Sequence, residues 1–159
     1  MENKNKRITY EEYNRVFECI YTYLKSLDIS QITGNMWKLE YFTTSKKNQI
    51  MVQRVSNRAE KQNENILGGY TAVLPFYINY QSTANTESAL LKITDPLDNI
   101  ANIFENETNN GFVNIEFPDD IIPQRLEMIT NPGGTTLENN VTVFTAMYQL
   151  TYYKKGVFE

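Results

Sequence analysis

Two hydrophobic rhythms run along the chain, one helical and one alternating, and together they lay out its elements. Tyr13, Val16, Phe17, Ile20, Leu24 and Leu27 recur at steps of three, four and seven, which aligns them on one stripe of an α-helix. Thr9 is placed to cap that helix, and Glu12, three residues on, completes a capping-box pattern. Asp28 to Gly34 ends it. A second helix is expected where Asp95-Pro96 offers an N-cap followed by proline at the first helical position. Its buried side is Leu97, Ile100, Ala101 and Phe104, and Asn106 to Asn114 closes it in a polar loop.

Strands announce themselves by alternation. Met36–Phe42 puts Trp37, Leu39 and Tyr41 on one face, and Ile50–Val55 follows after a polar turn, Thr43 to Gln49. Tyr70–Tyr80 puts Tyr70, Ala72, Leu74, Phe76, Ile78 and Tyr80 on one face, entered from Gly68-Gly69. Pro75 lacks a backbone donor, so this strand needs an edge or a bulge near its middle. Pro118-Asp119-Asp120 is a turn, Pro123–Thr130 a fourth strand and Asn131–Asn140 a long hairpin tip. Val141–Tyr153 is the last strand, with Phe144, Ala146, Tyr148, Leu150 and Tyr152 facing the core. A strand of that length reaches roughly 40 Å, about twice the usual. Residues 56–66 read as a charged, Asn-rich excursion, and residues 81–94 as a polar connection in which Ala89-Leu90-Leu91 can hold part of a helix.

The order is helix, hairpin, long strand, helix, long hairpin. Strands in runs with helices segregated between them predict an α+β fold: a mostly antiparallel sheet of about four to five strands with two helices packed on one face. Residues 1–8 read as a polar N-terminal arm and residues 9–159 as a single domain, a length ample for one core.

Composition narrows the function. Aromatics make up 13% of the chain and include eleven tyrosines, which favours ordered structure. The net charge of −4 argues against a basic nucleic-acid-binding face. There is no histidine, which removes the Ser-His-Asp and Cys-His arrangements and the commonest general base. The lone Cys19 rules out an internal disulfide framework and Cys/His zinc ligation. It reads as helix packing, on the expectation that no cation at helical spacing lowers its pKa. Asp119-Asp120 reads as a solvated turn before a metal ligand, and Glu11-Glu12 as carboxylates favoured at a helix start. Neither Gly68-Gly69 nor Gly133-Gly134 precedes the Gly-Lys-Ser/Thr of a phosphate loop. Alternating aromatics favour a core over a single-strand-binding sheet. No apolar run follows the N-terminal charges and none approaches the ~20 residues of a membrane span, so a non-exported, unanchored chain is expected. Neither an enzymatic role, a cofactor nor a metal is expected. The nearest approach to paired catalytic acids is Glu40 and Glu127, each on a face that reads as solvent.

One run of elements resembles a known family. Gly68–Tyr80 is a glycine-led aromatic strand, Leu97–Phe104 an amphipathic helix, and Phe117-Pro118 with Ile122-Pro123 a proline-bearing turn. Arg125–Thr130 is a strand leading to a polar tip, and Met147–Tyr153 a closing strand. This arrangement is similar to the tail terminator proteins of long-tailed bacteriophages, often called minor capsid proteins, over about residues 66–155 and more loosely 9–55. The resemblance implies a structural virion protein that forms a ring, commonly a homohexamer, at the head-proximal end of the tail tube. Such a ring ends tube polymerisation and joins the tail to the head connector, with DNA passing through its bore without specific binding. The implied partners are further copies of the chain, the tail tube protein and the connector, with no membrane. The protein would be made in the host bacterial cytoplasm and would reside at the head–tail junction of the virion. Asn131, Pro132, Gly133, Gly134, Arg58 and Lys61 are expected at inter-subunit contacts. Glu105, Glu107, Glu116, Asp119 and Asp120 are the acids expected to face the bore. Competing readings are a head-completion or connector adaptor and a monomeric module binding a ligand or peptide on the aromatic sheet.

Overall fold

The computed structural model describes residues 6–29, 31–32, 36–42, 48–55, 59–83, 91–136 and 141–159. Its elements run α1 (Tyr10–Ser26), β1 (Trp37–Leu39), β2 (Gln49–Arg54), β3 (Glu60–Gln62), β4 (Tyr70–Ser82), α2 (Asp95–Asn109), β5 (Ile121–Met128), β6 (Gly133–Thr136) and β7 (Thr142–Lys154). The fold is α+β, as expected, but the sheet is larger than four to five strands and it is mixed. Seven strands lie in the order β1-β2-β4-β7-β5, with β3 also beside β4 and β6 also beside β7. All neighbours are antiparallel except β1 and β2, which run parallel.

Each departure has a local cause. The first two strands do not form the expected hairpin. Glu40 adopts the left-handed conformation with φ 67° and sends its amide to the Val52 carbonyl at 3.0 Å. The strand therefore stops after three residues, and Tyr41, expected on the inner face, is exposed. Residues 60–62 of the charged excursion are the strand β3, recruited by the free side of β4. The hairpin tip is shorter than residues 131–140, because Gly133–Thr136 already pairs with Thr142–Thr145. The second helix begins at Asp95, with Thr94 at the cap position, and runs on to Asn109. Of the expected apolar patch, Ala89 and Leu90 lie outside the described residues, and Leu91 is exposed. The arm is docked at its inner end: Ile8 is buried, and the Lys6 carbonyl accepts from the Lys61 amide at 2.5 Å.

The long strands β4 and β7, of 13 residues each, pair over their whole length and form the middle of the sheet. Both expected inward faces are found, with only Phe144 left half-buried. Both helices cover this one face. Phe17 of α1 and Phe104 of α2 each meet Phe76 edge-on at 6.0 and 6.2 Å, and Tyr148 stacks on Phe76 at 5.8 Å. Each such buried ring contributes roughly 2–3 kcal/mol of transfer free energy, and the edge-on contacts add to it. The Tyr148 hydroxyl donates to the Leu97 carbonyl at 2.7 Å, tying α2 to β7.

Pro75 resolves as a local edge inside a central strand. On one side it pairs with Gln149. On the other, β2 reaches only to Phe76 and β3 only to Val73, so among the described residues no strand lies opposite Leu74 and Pro75. Tyr13 closes that gap from α1. Its hydroxyl donates to the Pro75 carbonyl at 2.7 Å and accepts from the Val55 amide at 3.0 Å. Burial pushes the Tyr13 phenol well above its ordinary pKa, so it keeps the proton it donates.

Candidate assembly surface

The residues singled out in the sequence do not gather in one place. Asn131, Pro132, Gly133 and Gly134 lie together where β5 passes into β6, and all but Pro132 are exposed. A Cβ at Gly134 would stand 2.7 Å from the Phe144 ring, whereas one at Gly133 meets nothing within 4 Å. Lys61 is elsewhere, on β3, with its ammonium 4.7 Å from the Tyr70 ring centre. Arg58 lies outside the described residues.

The five candidate bore acids do not act as one group. Glu105, Glu116 and Asp119 are exposed. Glu107 is buried at 5% exposure, which corrects its assignment to a solvent-filled lumen. It accepts from the Tyr23 hydroxyl at 3.0 Å and from the Asn114 side chain at 2.6 Å, so it fastens the loop after α2 onto α1. Burial, and then this bond to Glu107, raise the Tyr23 pKa. Asp120 is half-buried and paired: Arg15 grips both its oxygens at 2.9 and 2.8 Å, and Lys154 stands at 3.5 Å. The Arg15 hydrogen bonds hold the Asp120 carboxyl below its usual pKa. Both acids serve the fold of the single chain.

Glu12 departs most from its expected role. Thr9 does cap α1, accepting from the Glu12 amide at 3.1 Å. The Glu12 side chain is buried and accepts from the Tyr70 hydroxyl and, at 2.7 Å, from the Tyr152 hydroxyl. Burial, with Glu12 alongside, raises both tyrosine pKa values. One carboxylate thus joins the first helix to β4 and β7. Cys19 is also corrected in detail. Arg15 does stand one turn before it, yet burial and Glu18 outweigh that cation and push the thiol up.

Sequence reasoning missed an apolar tip. Ile66 and Leu67, in the turn before β4, and Val157 and Phe158, after β7, are all exposed, Ile66 at 99% and Val157 at 91%. The two turns are held together. Asn65 donates to the Tyr153 hydroxyl at 2.6 Å and to Glu159 at 2.9 Å, and accepts from the Leu67 and Gly69 amides. A Cβ at Gly156 would lie 1.9 Å from the Leu67 carbonyl, so the approach requires glycine there. The signal available in the sequence was the pairing of apolar dipeptides with glycine in two turns.

The sheet edges are treated unequally. Along β5 the Thr108 hydroxyl accepts from the Leu126 amide at 3.0 Å and donates to the Leu126 carbonyl at 3.1 Å, while Pro123 has no donor to offer. Among the described residues, no strand lies on the outer side of β1 or β6. A groove of about 510 Å³ runs between α1 and the loop after α2, lined by Arg15, Glu18, Cys19, Tyr23 and Glu116 among others. No group of three or more His, Cys, Asp or Glu side chains converges among the described residues, and none of their helices is long and apolar enough to cross a membrane. No protein-family model matches this chain, and no curated protein matches it either.

Proposed function

We propose that this chain is a structural virion subunit of a long-tailed bacteriophage. Copies of it form a ring at the head-proximal end of the tail tube, which ends tube polymerisation and joins the tail to the head connector. One observation carries the reading: the sheet ends in two unlike flanks, β1 on one side and β6 beside the sealed β5 on the other. Head-to-tail contacts that close by rotation need two different surfaces on each subunit. The apolar tip of Ile66, Leu67, Val157 and Phe158 adds a third surface, suited to the tube or the connector. Glu105, Glu116 and Asp119 remain the acids for the bore, where a basic lining would retain DNA by counterion release.

Light scattering on the purified chain tests the ring, with a single closed oligomer, a hexamer by the family resemblance, as the expected result. Electron microscopy of intact particles carrying a labelled chain tests its position. A monomer at every concentration, or label away from the head–tail junction, overturns the reading. Deleting residues 133–138 is expected to weaken assembly while leaving β5 and β7 paired through Ile121–Met128. A deletion variant that assembles as well as the parent removes β6 from the contact.

A further inference from the structure

The register of the sheet can be followed from edge to edge. Trp37 pairs with Ile50, Ile50 with Tyr80, Tyr80 with Phe144, and Phe144 with Gly134. One row along, Lys38, Met51, Asn79, Thr145 and Gly133 are linked in the same way. The two outermost strands therefore stand at one level of the sheet. Their directions are opposed: β1 runs with β2, β2 and β7 both run against β4, and β6 runs against β7.

The backbone groups match as well. Along a strand, successive residues turn their N–H and C=O to alternate sides. Met147 turns both toward β5 and β6: its carbonyl accepts from the Ile129 amide at 2.7 Å and its amide donates to the Thr130 hydroxyl at 3.0 Å. Thr145, two residues earlier, turns the same way, toward its partner Gly133. Gly134 therefore directs its own N–H and C=O away from β7. On the far edge, the Glu40 amide points inward to Val52, so Leu39 and Trp37 direct theirs outward.

We propose that β6 of one copy adds to β1 of the next as an antiparallel strand pair, with Gly134 opposite Trp37, so that the sheets join edge to edge around the ring. The proposal rests on the ring reading above and names its lateral contact. Level edges matter because a contact with rise along the axis winds into an open filament, while one without rise can close. Side chains fit the pairing. Phe144 lies over Gly134 on the helix-covered face, the same face as Trp37 of the incoming copy, so the two rings become neighbours. Trp37 also carries a buried indole N–H that finds no acceptor among the described residues. The sealing of β5 by Thr108 and Pro123 directs the incoming strand to β6.

The test uses the full chain with Cys19→Ser, so that introduced thiols are the only ones. In the pairing, Lys38 lies opposite Gly133, on the face where a Cβ at 133 is unobstructed. A Lys38→Cys/Gly133→Cys double variant is expected to give a ladder of cross-linked multimers under mild oxidation, ending at one size. Each single variant should stay uncross-linked, and an equimolar mixture of the two should stop at dimers. A Lys38→Cys/Gln124→Cys control on β5 should give no ladder. If the parent assembles but the double variant does not cross-link, the pairing falls and the ring reading stands. If single variants cross-link to themselves, the contact is two-fold and the pairing falls. If the parent is monomeric in light scattering, both fall. Hydrogen exchange on the unmodified chain gives a second readout, with the Trp37, Leu39 and Gly134 amides slowing at least tenfold on assembly. Unchanged exchange at these amides overturns the pairing, even where the cysteine variants fail to fold.

Discussion

The two ends of the sheet are held by opposite means. Where β4 begins and β7 finishes, Glu12 takes hydrogen bonds from Tyr70 and Tyr152, and Arg15, Asp120 and Lys154 form an ion cluster beside them. Where β4 finishes and β7 begins, the outer strands are three and four residues long, and each has one neighbour among the described residues. The first end is complete within one chain. At the second, β1 and β6 have no strand on their outer sides among the described residues. The molecule keeps its buried carboxylate anchor and its ion cluster at the end of the sheet away from the two short outer strands.

Four substitutions break or sharpen that contrast. The largest effect is expected from Glu12→Ala, which strands two buried tyrosine hydroxyls and lowers unfolding free energy by roughly 2–5 kcal/mol. Urea denaturation measures it, and a variant within about 1 kcal/mol of the parent would show that the closed end is not the stronger one. Tyr13→Phe comes next, at the boundary between the two ends, where it leaves the Pro75 carbonyl and the Val55 amide without a partner at a cost of about 1–3 kcal/mol. The same titration reads it, and assembly should be untouched. Thr108→Val costs about 1 kcal/mol, but it exposes the backbone of Leu126 on an eight-residue edge. Light scattering should then show irregular aggregates in place of one species. Equal monodispersity would mean that Thr108 does not guard β5.

The smallest effect is expected from Asp120→Asn, a few tenths to about 1 kcal/mol, because solvent screens this half-exposed cluster. Its sign with pH follows from the depressed carboxyl pKa. The contribution is complete above the ordinary aspartate value of about 3.9, and fades as pH falls through the lower folded value. Parent and variant should therefore differ in urea midpoint at pH 7 and converge in strong acid. A constant difference across that range would remove Asp120 from the ion cluster.

Much of the fold was legible in the sequence because the central elements carry dense periodic signals. The α1 stripe from Tyr13 to Leu24 and the inner faces of β4 and β7 follow directly from side-chain period, and Pro75 gave away the gap in β4. The outer strands were hidden for physical reasons. Glu60-Lys61-Gln62 has no apolar alternation and is a strand only because β4 offers it a partner. Gly133 and Gly134 carry turn chemistry but no side chain to reveal an extended backbone. β1 stops at a left-handed residue, Glu40, a position where glycine or asparagine would have been the usual clue. At the candidate site, spacing suggested that Glu12 served its own helix. Its tyrosine partners lie 58 and 140 positions away, beyond the reach of any local pattern.

That last separation bears on how the molecule comes into being. During synthesis α1 emerges ahead of both its donors, and its inward-facing carboxylate gains Tyr70 with β4 but Tyr152 only when β7 follows. Docking the helix before β7 is in place would bury an acid that lacks one of its two hydroxyl donors, which disfavours a premature core in a nascent or truncated chain. The helix-to-sheet contact is thereby timed to the completion of β7, and fragments that end before Tyr152 should unfold at lower urea concentration than the full chain.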